Sequence, residues 1–261
     1  MFQSPGDIAF QIFGLPVYYY GIILAFAIFT GINCAYYLYK KFFDKEKANC
    51  IFEFAPYLII FGIVGARLYY CLVNYSYYIH HPFEIFYIRQ GGLSIHGMII
   101  IGIGLLFVFS KIYKMEFLKL TDTFLCSSAL AQSIGRWGNF FNSEAFGFPT
   151  DLPWKLYIPI SHRPFEFMNF EYFHPAFLYE SILDLIIFII LLGLFRKYSL
   201  KSGIITGLYL ILYSIARLLV EQIRIDSALN IGNLAIAQIV SIILIAVGIL
   251  VCCFVIYKKR V

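Results

Sequence analysis

Long apolar tracts alternate with short charged loops along the whole chain. Residues 234–257 contain no charged side chain, and about 20 such residues suffice for one helix to cross the hydrocarbon core of a bilayer. The pattern predicts seven spans, at about 16–38, 52–74, 93–113, 119–141, 174–195, 203–222 and 233–257, the fourth being the least apolar. The one long polar stretch, 142–173, lies between the fourth and fifth spans. Its Pro149, Pro153, Pro159 and Pro164 among scattered aromatics predict a small irregular cap rather than helices. The expected fold is an all-α polytopic integral membrane protein: one membrane domain over 1–261, seven transmembrane helices, and an extracytoplasmic cap insertion at 142–173. No internal repeat of fixed period is visible, which counts against an inverted-repeat transporter.

Composition agrees with that reading. Of 261 residues, 61% are hydrophobic, 20% aromatic and 13% charged, against about 25% charged in soluble domains. The net charge of +5 does not point to nucleic acid, because the charges sit in short loops, where they set orientation. Thirteen Lys and Arg fall on one side (Lys40, Lys41, Lys45, Lys47, Lys111, Lys114, Lys119, Arg196, Lys197, Lys201, Lys258, Lys259, Arg260). Five fall on the other (Arg89, Arg136, Lys155, Arg163, Arg224), while Arg67 and Arg217 lie within spans. The C-terminus is therefore expected in the cytoplasm and the N-terminus and cap outside. Residues 1–16 carry no Lys or Arg, so the first span is expected to be retained rather than cleaved as a leader. The six cysteines, Cys34, Cys50, Cys71, Cys126, Cys252 and Cys253, lie in or beside apolar segments without a CxxC pair and read as buried small apolar filler.

Ionisable side chains within spans are expensive and mark functional candidates, with structural ion pairs as the competing account. Arg67, His96, Arg136, His174, and the group Arg217, Glu221 and Arg224 all fall near the outer ends of five different spans. Glu53 and Asp122 belong at cytoplasmic ends and Asp184 near mid-depth. Arg217, Glu221 and Arg224 are spaced i, i+4, i+7 and share one helical stripe. Two arginines against one glutamate leave a positive charge unmatched, which favours an anionic ligand. Phosphate is the natural one, because a guanidinium binds it with two parallel hydrogen bonds.

The most unusual stretch is Gly135-Arg136-Trp137-Gly138-Asn139-Phe140-Phe141-Asn142-Ser143-Glu144-Ala145-Phe146-Gly147. A helical start puts Arg136, Asn139 and Asn142 on one face, with glycines that permit close approach of a ligand or a second helix. In Gly91-Gly92-Leu93-Ser94-Ile95-His96-Gly97 the histidine is a plausible proton acceptor near neutral pH, and equally a hydrogen-bonded interface residue. No tight His/Asp/Glu spacing predicts a metal site. Tyr18, Tyr19 and Tyr20 read as an interfacial aromatic belt from which one ring reaches a polar site.

The Arg136 segment, G-R-W-G-N-F-F-N-S-E-A-F-G, closely resembles the signature of the bacterial prolipoprotein diacylglyceryl transferase family. Further matches occur in the family's order: Tyr20-Gly21, Gly65-Ala66-Arg67-Leu68, the G-G-L-S-x-H-G element, His174-Pro175 with Leu178-Tyr179-Glu180, and R-x-x-x-E-x-x-R at Arg217, Glu221 and Arg224. Ala176, Phe177 and Ala237 depart from the family's usual residues. The resemblance implies an enzyme at the outer face of the bacterial plasma membrane. It would move the diacylglyceryl group of phosphatidylglycerol onto the thiol of a lipobox cysteine in a preprolipoprotein signal peptide, forming a thioether and releasing glycerol-1-phosphate. Membrane lipids are its surroundings, and no metal or organic cofactor is implied.

That chemistry needs a proton acceptor for the thiol, because the thiolate is the nucleophile, and positive charge at the departing phosphate. His96 is the expected base, with Glu221 competing or orienting an arginine. Arg136 and Arg217 are expected at the phosphate, with Arg224 and Arg67 in lesser roles. Tyr20, Asn139, Asn142, Glu144 and Gly147 are expected around the headgroup. Two other classes remain in view: an anion or lipid transporter built on the intramembrane arginines, and a metal-dependent headgroup transferase or phosphatase. The second needs clustered acids, whereas Asp7, Asp44, Asp122, Asp151, Asp184 and Asp226 are scattered.

Overall fold

The computed structural model describes residues 2–88, 91–225, 230–231 and 234–258. Arg89, Asp226, Lys259 and Arg260, used above in the charge and acid patterns, lie outside the described residues.

Seven long helices carry the fold: α1 (Tyr19–Phe42), α2 (Cys50–Val73), α4 (Ile95–Ile112), α5 (Phe117–Phe141), α6 (Ala176–Tyr198), α7 (Ile204–Glu221) and α8 (Ile236–Lys258), with α3 (Tyr75–Tyr78) a single turn after α2. Six of them are long and apolar enough to cross a membrane, and a helix is the form that satisfies every backbone N–H and C=O without water. α5 has the length, at 25 residues, but not the apolarity. Thr121, Asp122, Thr123, Ser127, Ser128, Gln132, Ser133, Arg136 and Asn139 interrupt it. The helix ends fall within four residues of the predicted spans. The first helix begins at Tyr19 rather than near 16 because residues up to Tyr18 belong to a hairpin.

The expectation of an all-helical chain needs correction, since three small sheets accompany the helices. β1 (Phe2–Gln3) pairs in parallel with β4 (Leu156–Tyr157), which pairs antiparallel with β5 (Tyr172–Phe173). β2 (Ile8–Ile12) and β3 (Leu15–Tyr18) form a hairpin leading directly into α1, and β6 (Asn230–Ile231) pairs with β7 (Leu234–Ala235). Strands of two to five residues are too short to impose a readable alternation. Segment 142–173 is irregular, as its prolines predict, with 3-10 turns starting just after Pro159 and Pro164. It has an apolar core of its own, in which Phe146, Leu156, Ile158 and Phe173 pack with Phe140 of α5 and Phe177 of α6.

The chain folds as two compact units, Met1–Ala35 with Asp122–Val261, and Tyr36–Thr121. Within the first, the buried Asp122 carboxylate caps the start of α7, accepting from Gly203 N, Thr206 N and Thr206 Oγ1, each at 2.7 Å. This gives the intramembrane aspartate a structural explanation, because the first N–H groups of a helix lack intrahelical partners. All six cysteines are free. Cys71 and Cys126 are buried as filler, whereas Cys253 is exposed on α8, contrary to expectation.

Candidate functional site

In the first unit α5, α6 and α7 bring three arginines and three carboxylates together. Arg136 Nη1 lies 2.8 Å from Glu180 Oε2, Arg224 Nη1 lies 3.1 Å from Glu180 Oε1, and Arg217 Nη1 shares that same oxygen. Arg217 Nη2 reaches Glu221 Oε2 at 2.6 Å, and Arg136 Nε approaches Asp184 Oδ2 at 3.9 Å. The three carboxylates are buried.

Arg217 and Glu221 share a face at the end of α7, whereas Arg224 lies just beyond the helix in a bridge to Gly147, and the surplus positive charge expected of the three is not there. α6 faces them with Glu180 and Asp184, one turn apart, so three guanidiniums meet three acids. Pairing of this kind is what allows charges out of water at all. Glu180 was legible only as part of a motif and Asp184 only as a mid-depth charge. Their i, i+4 spacing in an otherwise apolar span was the signal that both face one neighbour.

Beside the cluster lies a small cleft, lined by Arg136, Glu180, Asp184, Tyr213 and Arg217 and by apolar Leu183, Ala216 and Val220. Tyr213 stacks on Tyr209 with ring centroids 5.6 Å apart, and Tyr209 donates its hydroxyl to Gln132 Oε1 at 2.8 Å. Neither tyrosine stood out in the sequence, since both sit within an apolar run rich in aromatics. Its lining mixes charged side chains of both signs with aliphatic carbons, as sites for amphipathic ligands do.

The residues after Arg136 leave α5 through a tight turn. Ser143 and Ala145 adopt φ of 55° and 54°. Glu144 returns toward the helix end, its N–H donating to Asn139 O at 2.9 Å and its carboxylate facing the Asn139 and Asn142 amides at 3.4 Å each. Tyr20 lies flat against Gly138, where an added Cβ would stand 2.6 Å from the ring, and Tyr19 stacks on Phe141 at 4.3 Å. Of the tyrosine triplet, Tyr18 alone is left on the exposed hairpin. Gly147 N donates to His174 O at 2.8 Å and bridges to Arg224, while Phe148 N donates to Ile223 O at 2.9 Å. Tyr20 thus packs two residues from Arg136, Glu144 joins Asn139 and Asn142, and Gly147 bridges to Arg224, which shares Glu180 with Arg136. His174 Nδ1 lies 3.2 Å from the Tyr179 hydroxyl, which accepts from Trp154 Nε1 at 2.9 Å.

In the second unit Arg67 and His96 occupy adjoining parts of one assembly. Expected among the headgroup ligands, Arg67 instead spends all three guanidinium nitrogens on backbone carbonyls. Nε donates to Ile85 O at 2.9 Å, Nη1 to Gly91 O at 2.9 Å and Gly92 O at 3.1 Å, and Nη2 to Glu84 O. Its guanidinium also lies over the Tyr70 and Tyr78 rings. Gly92 has φ of 71°, a conformation that side chains disfavour, and a Cβ there would strike Arg67 and Tyr70. Ser94 N donates to Ala66 O at 3.0 Å, and Gly65 and Gly97 let the α2 and α4 backbones touch. His96 is exposed at the start of α4, with Nδ1 3.4 Å from Ser94 Oγ and its ring 5.8 Å from that of Tyr69. Among the described residues no group of three His, Cys, Asp or Glu side chains is placed to hold a metal ion.

Relatives agree with the family that the motifs suggested. The sequence profile of the prolipoprotein diacylglyceryl transferase family matches residues 7–254. The chain is 44% identical to the phosphatidylglycerol–prolipoprotein diacylglyceryl transferase of a Nostoc species, over 100% of this chain and 93% of that one. It is 45% identical to the protein of that name from Synechococcus elongatus, over 95% and 87%, and 45% identical to the one from a Synechocystis species, over 95% and 88%. With nearly its whole length matched, the chain belongs to the prolipoprotein diacylglyceryl transferase family.

Proposed function

We propose that the protein transfers the sn-1,2-diacylglyceryl group of phosphatidylglycerol to the lipobox cysteine thiol of preprolipoprotein signal peptides, releasing glycerol-1-phosphate. The observation that carries this reading is the convergence of Arg136, Arg217 and Arg224 on the single carboxylate of Glu180 beside a cleft that Leu183, Ala216 and Val220 help to line. A phosphodiester presents the same kind of acceptor oxygens to guanidiniums as a carboxylate does. The lipid phosphate therefore takes over contacts that Glu180 holds in its absence, and the arginines stabilise the charge that grows on the departing oxygen.

The other parts follow from their surroundings. Glu221, at 2.6 Å from Arg217, orients that guanidinium. Tyr20, Asn139, Asn142, Glu144 and Gly147 border the glycerol headgroup. Arg67 does not touch the lipid; it holds the segment that leads into His96. His96 and Glu221 are the residues that the family resemblance and the charge pattern offer for taking the thiol proton. No bound cofactor takes part.

In this reading the chain is a single membrane domain of seven spans, α5 being the fourth, with 142–173 as an extracytoplasmic insertion. The thirteen-to-five division of Lys and Arg supports an outward N-terminus, a cytoplasmic C-terminus and a site toward the outer leaflet of the bacterial plasma membrane. The test is incubation of purified protein in phosphatidylglycerol vesicles with a lipobox-cysteine peptide and excess chelator. The expected result is a peptide mass gain of one diacylglyceryl group with glycerol phosphate release. No gain from folded protein, with or without chelator and with other phospholipids, overturns the reading.

A further inference from the structure

Transfer of the diacylglyceryl group breaks the bond between the phosphate oxygen and a glycerol carbon, so the sulfur approaches that carbon from the side away from the phosphate. The phosphate's place is set by the guanidiniums around Glu180. Asp184 stands on the same helix one turn further from its start at Ala176, about 6 Å along the axis, toward the middle of the span where acyl chains run. It is 3% exposed and lines the cleft together with the arginines.

Its bonding sets it apart from the other two acids. Glu180 is held by Arg217, by Arg136 at 2.8 Å and by Arg224 at 3.1 Å, and Glu221 by Arg217 at 2.6 Å. Asp184 Oδ2 shares with Glu180 Oε2 and the Glu221 oxygens the lack of a regular hydrogen bond among the described residues, and differs in its guanidinium contact, which is Arg136 Nε at 3.9 Å, beyond hydrogen-bond reach. A buried acceptor without a donor is costly, and a donor brought by the substrate relieves the cost. The acceptor thiol is one donor that the substrate can bring.

We propose that Asp184 is the general base of the transfer, an assignment that rests on the transferase reading above. The thiol proton passes to Asp184 as the sulfur electron pair forms the new S–C bond. The C–O bond breaks with its electron pair on the phosphate oxygen, and that oxygen takes the proton back as glycerol-1-phosphate leaves. The groups facing Asp184 are Arg136 from α5, Glu180 on its own helix, and Tyr209, Tyr213 and Arg217 from α7. As Arg136 turns to the phosphate it moves its charge from the carboxylates to the leaving group.

The experiment uses the full chain in phosphatidylglycerol vesicles with two lipobox peptides, one carrying cysteine and one carrying selenocysteine, whose selenol is already ionised near neutral pH. Asp184→Asn should lower turnover of the cysteine peptide by at least about 100-fold while the selenocysteine peptide stays within a few-fold of wild type. Because the ratio of the two rates is internal to each variant, partial loss of folded protein does not alter it. Asp184→Ser supplies a second neutral side chain should the amide not be accommodated. Equal loss on both peptides, or no loss on either, overturns the assignment. So does selective rescue by selenocysteine in His96→Gln or Glu221→Gln but not in the Asp184 variants. Failure of the wild-type protein on the cysteine peptide instead overturns the transferase reading itself.

Discussion

Arg136 and Glu180 meet at 2.8 Å between α5 and α6, and the same carboxylate is the partner of Arg217 and Arg224. Removing its charge leaves three guanidiniums facing one another in a poorly solvated site. Glu180→Gln is expected to lose about 3–5 kcal/mol of stability, seen as a lower thermal midpoint in detergent. Phosphatidylglycerol should raise that midpoint more in the variant than in the wild type, since the lipid phosphate restores the missing anion. Equal shifts in both proteins would separate Glu180 from the phosphate site.

Arg217 contacts two acids, Glu180 and Glu221. Arg217→Ala is expected to abolish transfer in the vesicle assay while the protein remains folded. It also leaves Glu221 buried without its cation, so the double variant Arg217→Ala, Glu221→Gln should be more stable than the single one, though equally inactive. Near-normal turnover by Arg217→Ala would remove the residue from the mechanism.

Arg67 ties Glu84, Ile85, Gly91 and Gly92 through their carbonyls. A lysine, with one nitrogen, cannot span four acceptors. Arg67→Lys should therefore speed amide hydrogen exchange over 84–92 at least tenfold, and Gly92→Ala should do the same by displacing the guanidinium. Unchanged exchange in both variants would show that the carbonyl contacts do not hold the segment.

Asp122 accepts three hydrogen bonds at the start of α7. Asp122→Ala should cost at least about 3 kcal/mol, at the rate of about 1–3 kcal/mol for each buried donor left unsatisfied, measured as loss of thermal stability. The KM for the lipobox peptide should stay within about twofold. A changed KM with unchanged stability would mean that the residue acts on substrate rather than on the helix.

How much of this was legible in the sequence depends on which contact carries each feature. The helices were, because a bilayer demands long apolar runs and the chain supplies them. The short strands were not, since pairs such as Phe2–Gln3 with Leu156–Tyr157 join residues far apart and leave no periodic trace. At the site, the i, i+4 pair Arg217 and Glu221 was readable because one helix contains it, with Arg224 just past its end. Neutralisation of these arginines by Glu180 and Asp184 was not, because it depends on how α6 is turned. The contacts of Arg67 were not legible for a further reason: its partners are backbone carbonyls, and an acceptor that every residue possesses marks no position in a sequence.

α5 is as long as its neighbours but too polar for lipid, and the polar side chains that make it so include Arg136 and Asn139. Its buried residues lie along most of its length, from Leu120 and Thr123 through Ser133 to Phe140. Such a segment has no favourable resting place alone in a bilayer; it becomes tolerable only once other helices screen it. The helix that brings the arginine to the site is thus one that biogenesis has to seat in company, so defects in its neighbours would first be felt as failed membrane integration and only secondarily as lost turnover.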